Sequence, residues 1–137
     1  MLLTKGIIKA DILASKRAIE DFEETRIRDI KNIAAYHLQQ AAEKLIKLQI
    51  YSKSTNVSNS RMYTHNLTKL IEYADSLNIR IDIPEFVRER SALLTDWEAG
   101  SRYDVSFSVR IDVLKKTFGI NPLVHCGPES GIISIRG

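Results

Sequence analysis

Cysteine is almost absent from this chain of 137 residues. With Cys126 as the single thiol, an intramolecular disulfide is excluded, and so is a zinc cluster built from several thiolates. Disulfides belong to oxidising compartments, and a chain without them fits a reducing environment. We therefore expect a cytoplasmic location.

Long apolar runs are also missing. No uninterrupted apolar stretch is long enough to span a bilayer. The residues from Met1 to Gly6 lack the charged region, apolar run and cleavage site of a signal peptide. The chain also has no glycine-rich phosphate loop, no paired-histidine metal motif and no nucleophile elbow. We expect no membrane association, no bound metal and no cofactor.

Glycine and proline are scarce in most of the chain and concentrated at its end. Four of the six glycines and two of the three prolines lie from Gly119 onward. These residues interrupt helices, so we expect a folded unit over residues 1–118 and an irregular tail over 119–137. The net charge of +3 permits an anionic partner without requiring one.

Apolar residues recur every three or four positions through most of the first 118 residues, which predicts helices. The pattern places the first helix from about residue 4 or 7 to 24 and the second from about 25 to 51. A third spans about 64–78 with Thr64 as its cap, a fourth runs from Pro84 to Gly100, and a fifth covers about 106–118. Residues 52–60 are predicted as a loop and 79–83 as an extended linker. The expected fold is all-α, an antiparallel up-and-down bundle of four or five helices.

The polar residues of the second helix form one connected strip. His37, Gln40, Lys44 and Lys47 follow one another at steps of three, four and three residues, so they lie along one helix face. Lysines attract phosphate, and Gln and His side chains offer hydrogen bonds that suit a nucleotide or RNA. The same pattern also fits an ordinary exposed helix, because Glu43 and Lys47 are a stabilising i,i+4 pair. Both interpretations stay open on spacing alone.

Two further segments carry side chains that suit an anion site. His65 lies at the predicted start of the third helix, where unpaired backbone amides favour anions, or it only bonds the loop. Arg102 and Tyr103 follow the predicted fourth helix and offer a planar guanidinium and an aromatic ring. Arg102 could equally tie the loop to neighbouring carboxylates. No carboxylate partner for His65 is visible in the sequence.

Together these segments resemble the HEPN family, small all-helical domains named for higher eukaryotes and prokaryotes nucleotide-binding. Residues 37–47 match the family's His-x-x-Gln-Ala-x-Glu-Lys-x-x-Lys arrangement. The run from Thr64 to Leu67 is similar to its Thr-His-Asp/Asn-Leu helix start, and Ser101-Arg102-Tyr103 to its Ser/Ala-Arg-Tyr turn. The matches occur in the family's order and cover roughly residues 5 to 118.

The resemblance implies a helical bundle that is often dimeric. Many prokaryotic members are encoded beside a minimal nucleotidyltransferase and form toxin–antitoxin-like pairs with it, and some members bind nucleotides. We therefore expect a homodimer that binds a nucleotide or RNA and acts with a minimal nucleotidyltransferase. The residues expected to contact the ligand are His37, Gln40, Lys44, Lys47, His65, Arg102 and Tyr103.

Other family members are metal-independent ribonucleases, which use an arginine followed after four to six residues by a histidine. Here Arg61 and His65 are separated by only three residues, and no other pair has the required spacing. We therefore expect binding rather than catalysis. One alternative is a ribonuclease toxin with His65 or His37 as acid–base and Arg61 or Arg102 at the phosphate. Another is a structural adaptor.

Overall fold

The computed structural model describes residues 4–103 and 109–118, and these residues form helices with no β-strand among them. The all-α prediction is confirmed. The helices are α1 (Lys5–Thr25), α2 (Arg28–Lys53), α3 (Asn59–Met62), α4 (Leu67–Ser76), α5 (Glu85–Glu89), α6 (Ser91–Tyr103) and α7 (Ile111–Phe118). The predicted tail from residue 119 lies outside the described residues. None of the described helices is long and apolar enough to cross a bilayer.

A long helical hairpin, α1 with α2, forms the base of the fold. The hydroxyl of Thr4 begins α1 by accepting a hydrogen bond from the Ile7 amide at 3.1 Å. Arg26 ends it in the left-handed conformation, at φ 59°, and its N–H donates to the Phe22 carbonyl. The chain then reverses within two residues. Buried Ser15 ties the two helices together by donating to the Ala34 carbonyl at 2.8 Å.

Helix α2 lies at the centre of the fold, because it contacts α1, α4, α6 and α7. Small residues on α2 let the neighbouring helices approach closely, and Ala34 and Ala35 are both fully buried. Trp97 of α6 is the largest fully buried side chain. Burial of such apolar surface stabilises the fold by about 25 cal/mol per Å². Because α2 is central, the polar side chains on it lie next to residues of the neighbouring helices.

Several helix ends differ from the sequence prediction. The third predicted helix begins later, because Asn66 rather than Thr64 is its cap and accepts from the Lys69 amide at 3.0 Å. The fourth is divided at Arg90 into α5 and α6. Helix α6 continues past Gly100, where Ser101 donates to the Trp97 carbonyl at 2.5 Å.

The other differences are smaller. The predicted loop contains one short turn of helix, α3, and the last helix begins at residue 111 rather than 106. The ends of helices depend on local hydrogen bonds that apolar spacing does not encode. The predicted elements therefore agree with the structure better than their boundaries do.

Residues 79–84 have neither helix nor strand, as the linker prediction expected. Side chains hold this segment in place. The Gln49 amide donates to the Asp82 carbonyl at 3.0 Å and accepts from the Asp82 N–H at 2.7 Å. Lys53 donates to the Arg80 carbonyl, and Arg88 donates to the carbonyl of buried Ile81. The backbone polar groups of the linker thus find partners without a sheet.

Candidate functional site

Two clusters of ionisable side chains occupy the polar strip of α2, and each is centred on one buried carboxylate. We call them the Asp11 cluster, formed by Asp11, His37 and Lys44, and the Glu43 cluster, formed by Glu43, His65, Lys47 and Gln39. Burying a carboxylate is costly unless it is paired and hydrogen-bonded. Both carboxylates meet this condition.

The Asp11 cluster joins α1 to α2. The Nδ1 atom of His37 lies 2.9 Å from one oxygen of Asp11, and the Lys44 ammonium donates to the other oxygen at 2.7 Å. The Asp11 side chain is 12% exposed, whereas the His37 side chain keeps 30% of its surface in solvent. The Tyr36 ring packs edge-on against the His37 imidazole. This cluster forms a polar contact between the two packed helices α1 and α2.

The Glu43 cluster joins α2 to the loop between α3 and α4. The Lys47 ammonium donates to one carboxylate oxygen at 2.8 Å, and Nδ1 of His65 lies 2.9 Å from the other. The Gln39 amide donates to Glu43 at 3.2 Å and to the backbone carbonyl of His65 at 3.1 Å. The Glu43 side chain is only 7% exposed, but the His65 side chain is 62% exposed. The buried Glu43 carboxylate therefore holds an imidazole, that of His65, which is open to solvent.

The carboxylates also determine which nitrogen of each imidazole carries a proton. An ionised carboxylate can only accept hydrogen bonds, so Nδ1 must be the donor in both His37 and His65. The second ring nitrogen, Nε2, is then an acceptor whenever the ring is neutral. In His65 this orientation leaves Nε2 as the ring nitrogen that can interact with a ligand.

The two lysines of the strip bond carboxylates first. Lys44 and Lys47 each place an ammonium within 2.8 Å of an acidic oxygen, and each side chain is only 17% exposed. An ammonium has three donors, so two remain on each lysine for other acceptors. The charge of each lysine is nevertheless balanced by its carboxylate, which weakens the attraction of the strip for a distant anion.

A cleft of about 940 Å³ opens beside His65. Its walls are the loop residues Thr64–Asn66, residues of α6 between Leu93 and Gly100, and Val109, Arg110 and Val113 around the start of α7. The charged residues of the lining include Asp96 of α6 and Arg110, whose guanidinium bonds both carboxylate oxygens of Asp112 at 2.9 and 3.2 Å. Pockets with a few convergent polar groups are the usual sites of small ligands.

The structure brings together five of the residues predicted to contact a ligand. His37, Gln40, Lys44 and Lys47 lie on the same part of α2, and Gln40 donates to the Gln39 side chain at 2.8 Å, which connects it to the Glu43 cluster. His65 reaches this cluster from the loop. The predicted ligand contacts themselves stay a prediction.

The remaining predicted residues belong to α3 and α6. Arg102 and Tyr103 belong to the last turn of α6 rather than to a turn after it, and their side chains are outside the described part of the chain. The guanidinium of Arg61 lies over the Tyr73 ring, 4.7 Å from its centre. In residues 4–103 and 109–118, no group of three or more histidine, cysteine, aspartate or glutamate side chains is arranged to hold a metal ion.

Sequence reasoning missed Asp11 and Gln39. Asp11 carries a detectable signal, because it lies three residues after Ile8 and four before Ser15 on the buried face of α1. A charged residue on an apolar face requires a partner, so such a position predicts a buried ion pair. Gln39 is fully buried on α2 and carries no comparable signal beyond its helical spacing.

Comparison with known proteins gives one match. The family model of the HEPN domain matches residues 12–118, a span that includes the Glu43 cluster, the cleft and all of the Asp11 cluster except Asp11 itself. Neither the curated proteins nor the solved structures contain a match to this chain. The family match covers most of the chain and agrees with its all-α fold. The chain therefore belongs to the HEPN family.

Proposed function

We propose that this HEPN domain binds a nucleotide or RNA at the cleft beside His65. It would do so as a cytoplasmic homodimer that acts with a minimal nucleotidyltransferase in a toxin–antitoxin-like pair. The observation that carries the proposal is the Glu43–His65 pair, in which a buried carboxylate holds an imidazole that is 62% exposed at the edge of the cleft.

The surrounding groups support binding of a nucleotide unit. Nε2 of His65 can accept from a ribose hydroxyl or a base, or donate to phosphate when the ring is protonated. Gln40 offers a partly exposed amide that is linked to the His65 loop through Gln39, because Gln40 donates to the Gln39 side chain and Gln39 donates to the His65 carbonyl. No residue of α2 lines the cleft, so Lys47 and Lys44 would add their remaining ammonium donors to a ligand that extends from the cleft onto the α2 strip. Arg102 and Tyr103 would supply a guanidinium and a ring. His37 would contact the sugar or base from the N-terminal end of the strip.

A titration followed by NMR tests this proposal. We expect ATP or a short RNA at up to millimolar concentration to shift the amide signals of residues 63–66 and of the α2 strip. His65→Ala should weaken the binding. Glu72→Ala is the matched control, because Glu72 is exposed on α4 and its side chain has no described contact. Absence of any shift on α2 and the loop at millimolar ligand would contradict the proposal.

A second candidate function is a metal-independent ribonuclease, favoured by the same Glu43–His65 pair. A carboxylate that orients an imidazole through Nδ1 leaves Nε2 able to take a proton as a general base. In RNA, that proton would leave the 2′-hydroxyl as its oxygen bonds to phosphorus. The P–O5′ bond would break, and the leaving oxygen would take a proton from solvent. Arg61 is less suited to the phosphate, because its guanidinium lies over Tyr73.

Expression in a bacterial host separates the two functions. A ribonuclease predicts growth arrest that His65→Ala abolishes, together with cleavage of purified RNA in the presence of a chelator. A binding domain predicts normal growth of the expressing strain and intact RNA. His37→Ala serves as the matched histidine variant, since His37 contacts a different carboxylate, that of Asp11, at the same 2.9 Å and is less exposed.

A further inference from the structure

The first half of α1 carries a second row of lysines, away from its buried face. Lys5, Lys9 and Lys16 are four and seven residues apart, so they project from the same side of the helix. All three are exposed, whereas Ile8, Asp11 and Ser15 of the same helix are buried. At a rise of 1.5 Å per residue the row is roughly 16 Å long. We call these three residues the lysine row.

The lysine row differs from the lysines of α2 in its partners. Lys44 and Lys47 each donate to a carboxylate. In the part of the chain that the structure describes, Lys5, Lys9 and Lys16 have no ion pair and no side-chain hydrogen bond. Their charge is therefore available to an external anion. Arg17, also exposed, adds a fourth cation beside the row.

Helix stability does not account for this arrangement. Residues 5–17 hold four basic residues and one acidic residue, Asp11, which is already paired. Residues 18–25 hold four acidic residues and no basic ones. The first turn has no acidic residue and the last turn no basic one, so the charges run against the helix macrodipole. Glu23 in the acidic half bonds Lys115, whereas the basic half opposes the dipole without a partner among the described residues, which suggests an external ligand.

We propose that the lysine row binds the phosphate backbone of single-stranded RNA, a contact that rests on the proposed function and adds a surface outside the cleft. A row of about 16 Å is longer than one nucleotide and suits a chain of several phosphates. The acidic second half of α1 would repel an anionic membrane laid along the helix, whereas a narrow RNA strand can follow the basic half alone.

Fluorescence anisotropy with a labelled 12-nucleotide single-stranded RNA tests the inference. The variant Lys9→Gln with Lys16→Gln removes two phosphate contacts and keeps good helix formers. For single strands the salt slope changes by about 0.7 per contact, so we expect it to fall by about 1.4. The same relation predicts an affinity loss of about 25-fold at 0.1 M salt. The thermal midpoint should not fall, since the lysines have no partner in residues 4–103 and 109–118.

The control variant Lys69→Gln with Arg80→Gln removes the same charge from two exposed positions outside the row. Its affinity for the RNA should stay within about twofold of the parent, because salt screens the attraction between the RNA and charges that lie outside the contact surface. Equal losses in both variants would overturn the inference and reduce it to an effect of net charge. Unchanged affinity of the lysine-row variant would overturn it as well.

Two further measurements separate this inference from the proposed function. If the parent binds ATP at the cleft but not the RNA, the lysine-row inference fails and the proposed function stands. If it binds neither, both fail. Vesicles of phosphatidylserine and phosphatidylcholine complete the test, because vesicle binding that depends on Lys9 and Lys16, without RNA binding, would assign the row to a membrane surface instead.

Discussion

The Asp11 cluster and the Glu43 cluster contain the same three kinds of group, a carboxylate, an imidazole and an ammonium, but they join different parts of the fold. Each places one imidazole Nδ1 at 2.9 Å and one ammonium at 2.7 or 2.8 Å from a single carboxylate. The Asp11 cluster joins two packed helices and leaves its imidazole half-buried. The Glu43 cluster joins a helix to a loop and leaves its imidazole mostly exposed. Position in the fold, rather than the set of side chains, therefore determines how much of each imidazole is open to a ligand.

The largest expected effect is on the buried centre of the Glu43 cluster. Glu43→Ala leaves Lys47, His65 and Gln39 without their acceptor, so the free energy of unfolding should fall by about 3–5 kcal/mol. Urea denaturation of the variant measures this loss. Glu72→Ala, at an exposed site, should change stability by less than about 0.5 kcal/mol. A loss below about 1 kcal/mol for Glu43→Ala would contradict a tightly coupled cluster.

The next effect concerns the carboxylate of the Asp11 cluster. Asp11→Ala removes one helix-to-helix ion pair and one imidazole contact, and we expect a loss of about 2–3 kcal/mol by the same measurement. The loss should be smaller than for Glu43→Ala, because Asp11 is more exposed and has fewer partners. Asp21→Ala is the control on the same helix. A larger loss at Asp11 than at Glu43 would reverse the comparison.

The smallest stability effects, and the sharpest contrast, come from the two histidines. His37→Ala should lower the free energy of unfolding by about 1 kcal/mol, because its ring is packed between α1 and Tyr36. His65→Ala should cost less than about 0.5 kcal/mol, since the ring is largely exposed. Binding of ATP or RNA should show the opposite order, with the larger loss for His65→Ala. Equal losses of affinity in the two variants would contradict the expectation that the more exposed imidazole makes the stronger contact with the ligand.

Part of this arrangement can be predicted from the sequence. The steps of three and four residues correctly placed His37, Gln40, Lys44 and Lys47 on one face of one helix. The i,i+4 pair of Glu43 and Lys47 was also predicted, and it forms at 2.8 Å. These features are local, and the geometry of a helix determines them completely.

The partners that are distant in the sequence could not be predicted from it. Asp11 lies 26 residues before His37 and 33 before Lys44, and His65 lies 22 residues after Glu43. Which carboxylate meets which imidazole depends on how the helices pack, and helix periodicity does not encode that. The division of one predicted helix at Arg90 was missed for a different, local reason, because the apolar spacing continues from α5 into α6 while the backbone does not.

The hydrogen bonds between Gln49 and Asp82 fix the length of the linker before α5. One side-chain amide on α2 contacts both the N–H and the carbonyl of a single residue, as a neighbouring strand of backbone would. An inserted or deleted residue between 79 and 84 would move Asp82 out of reach and displace Ile79 or Ile81 from the core. An insertion in the exposed segment at residues 55–56 would break no comparable anchor. Of the two connections, only the earlier one can change length at little cost.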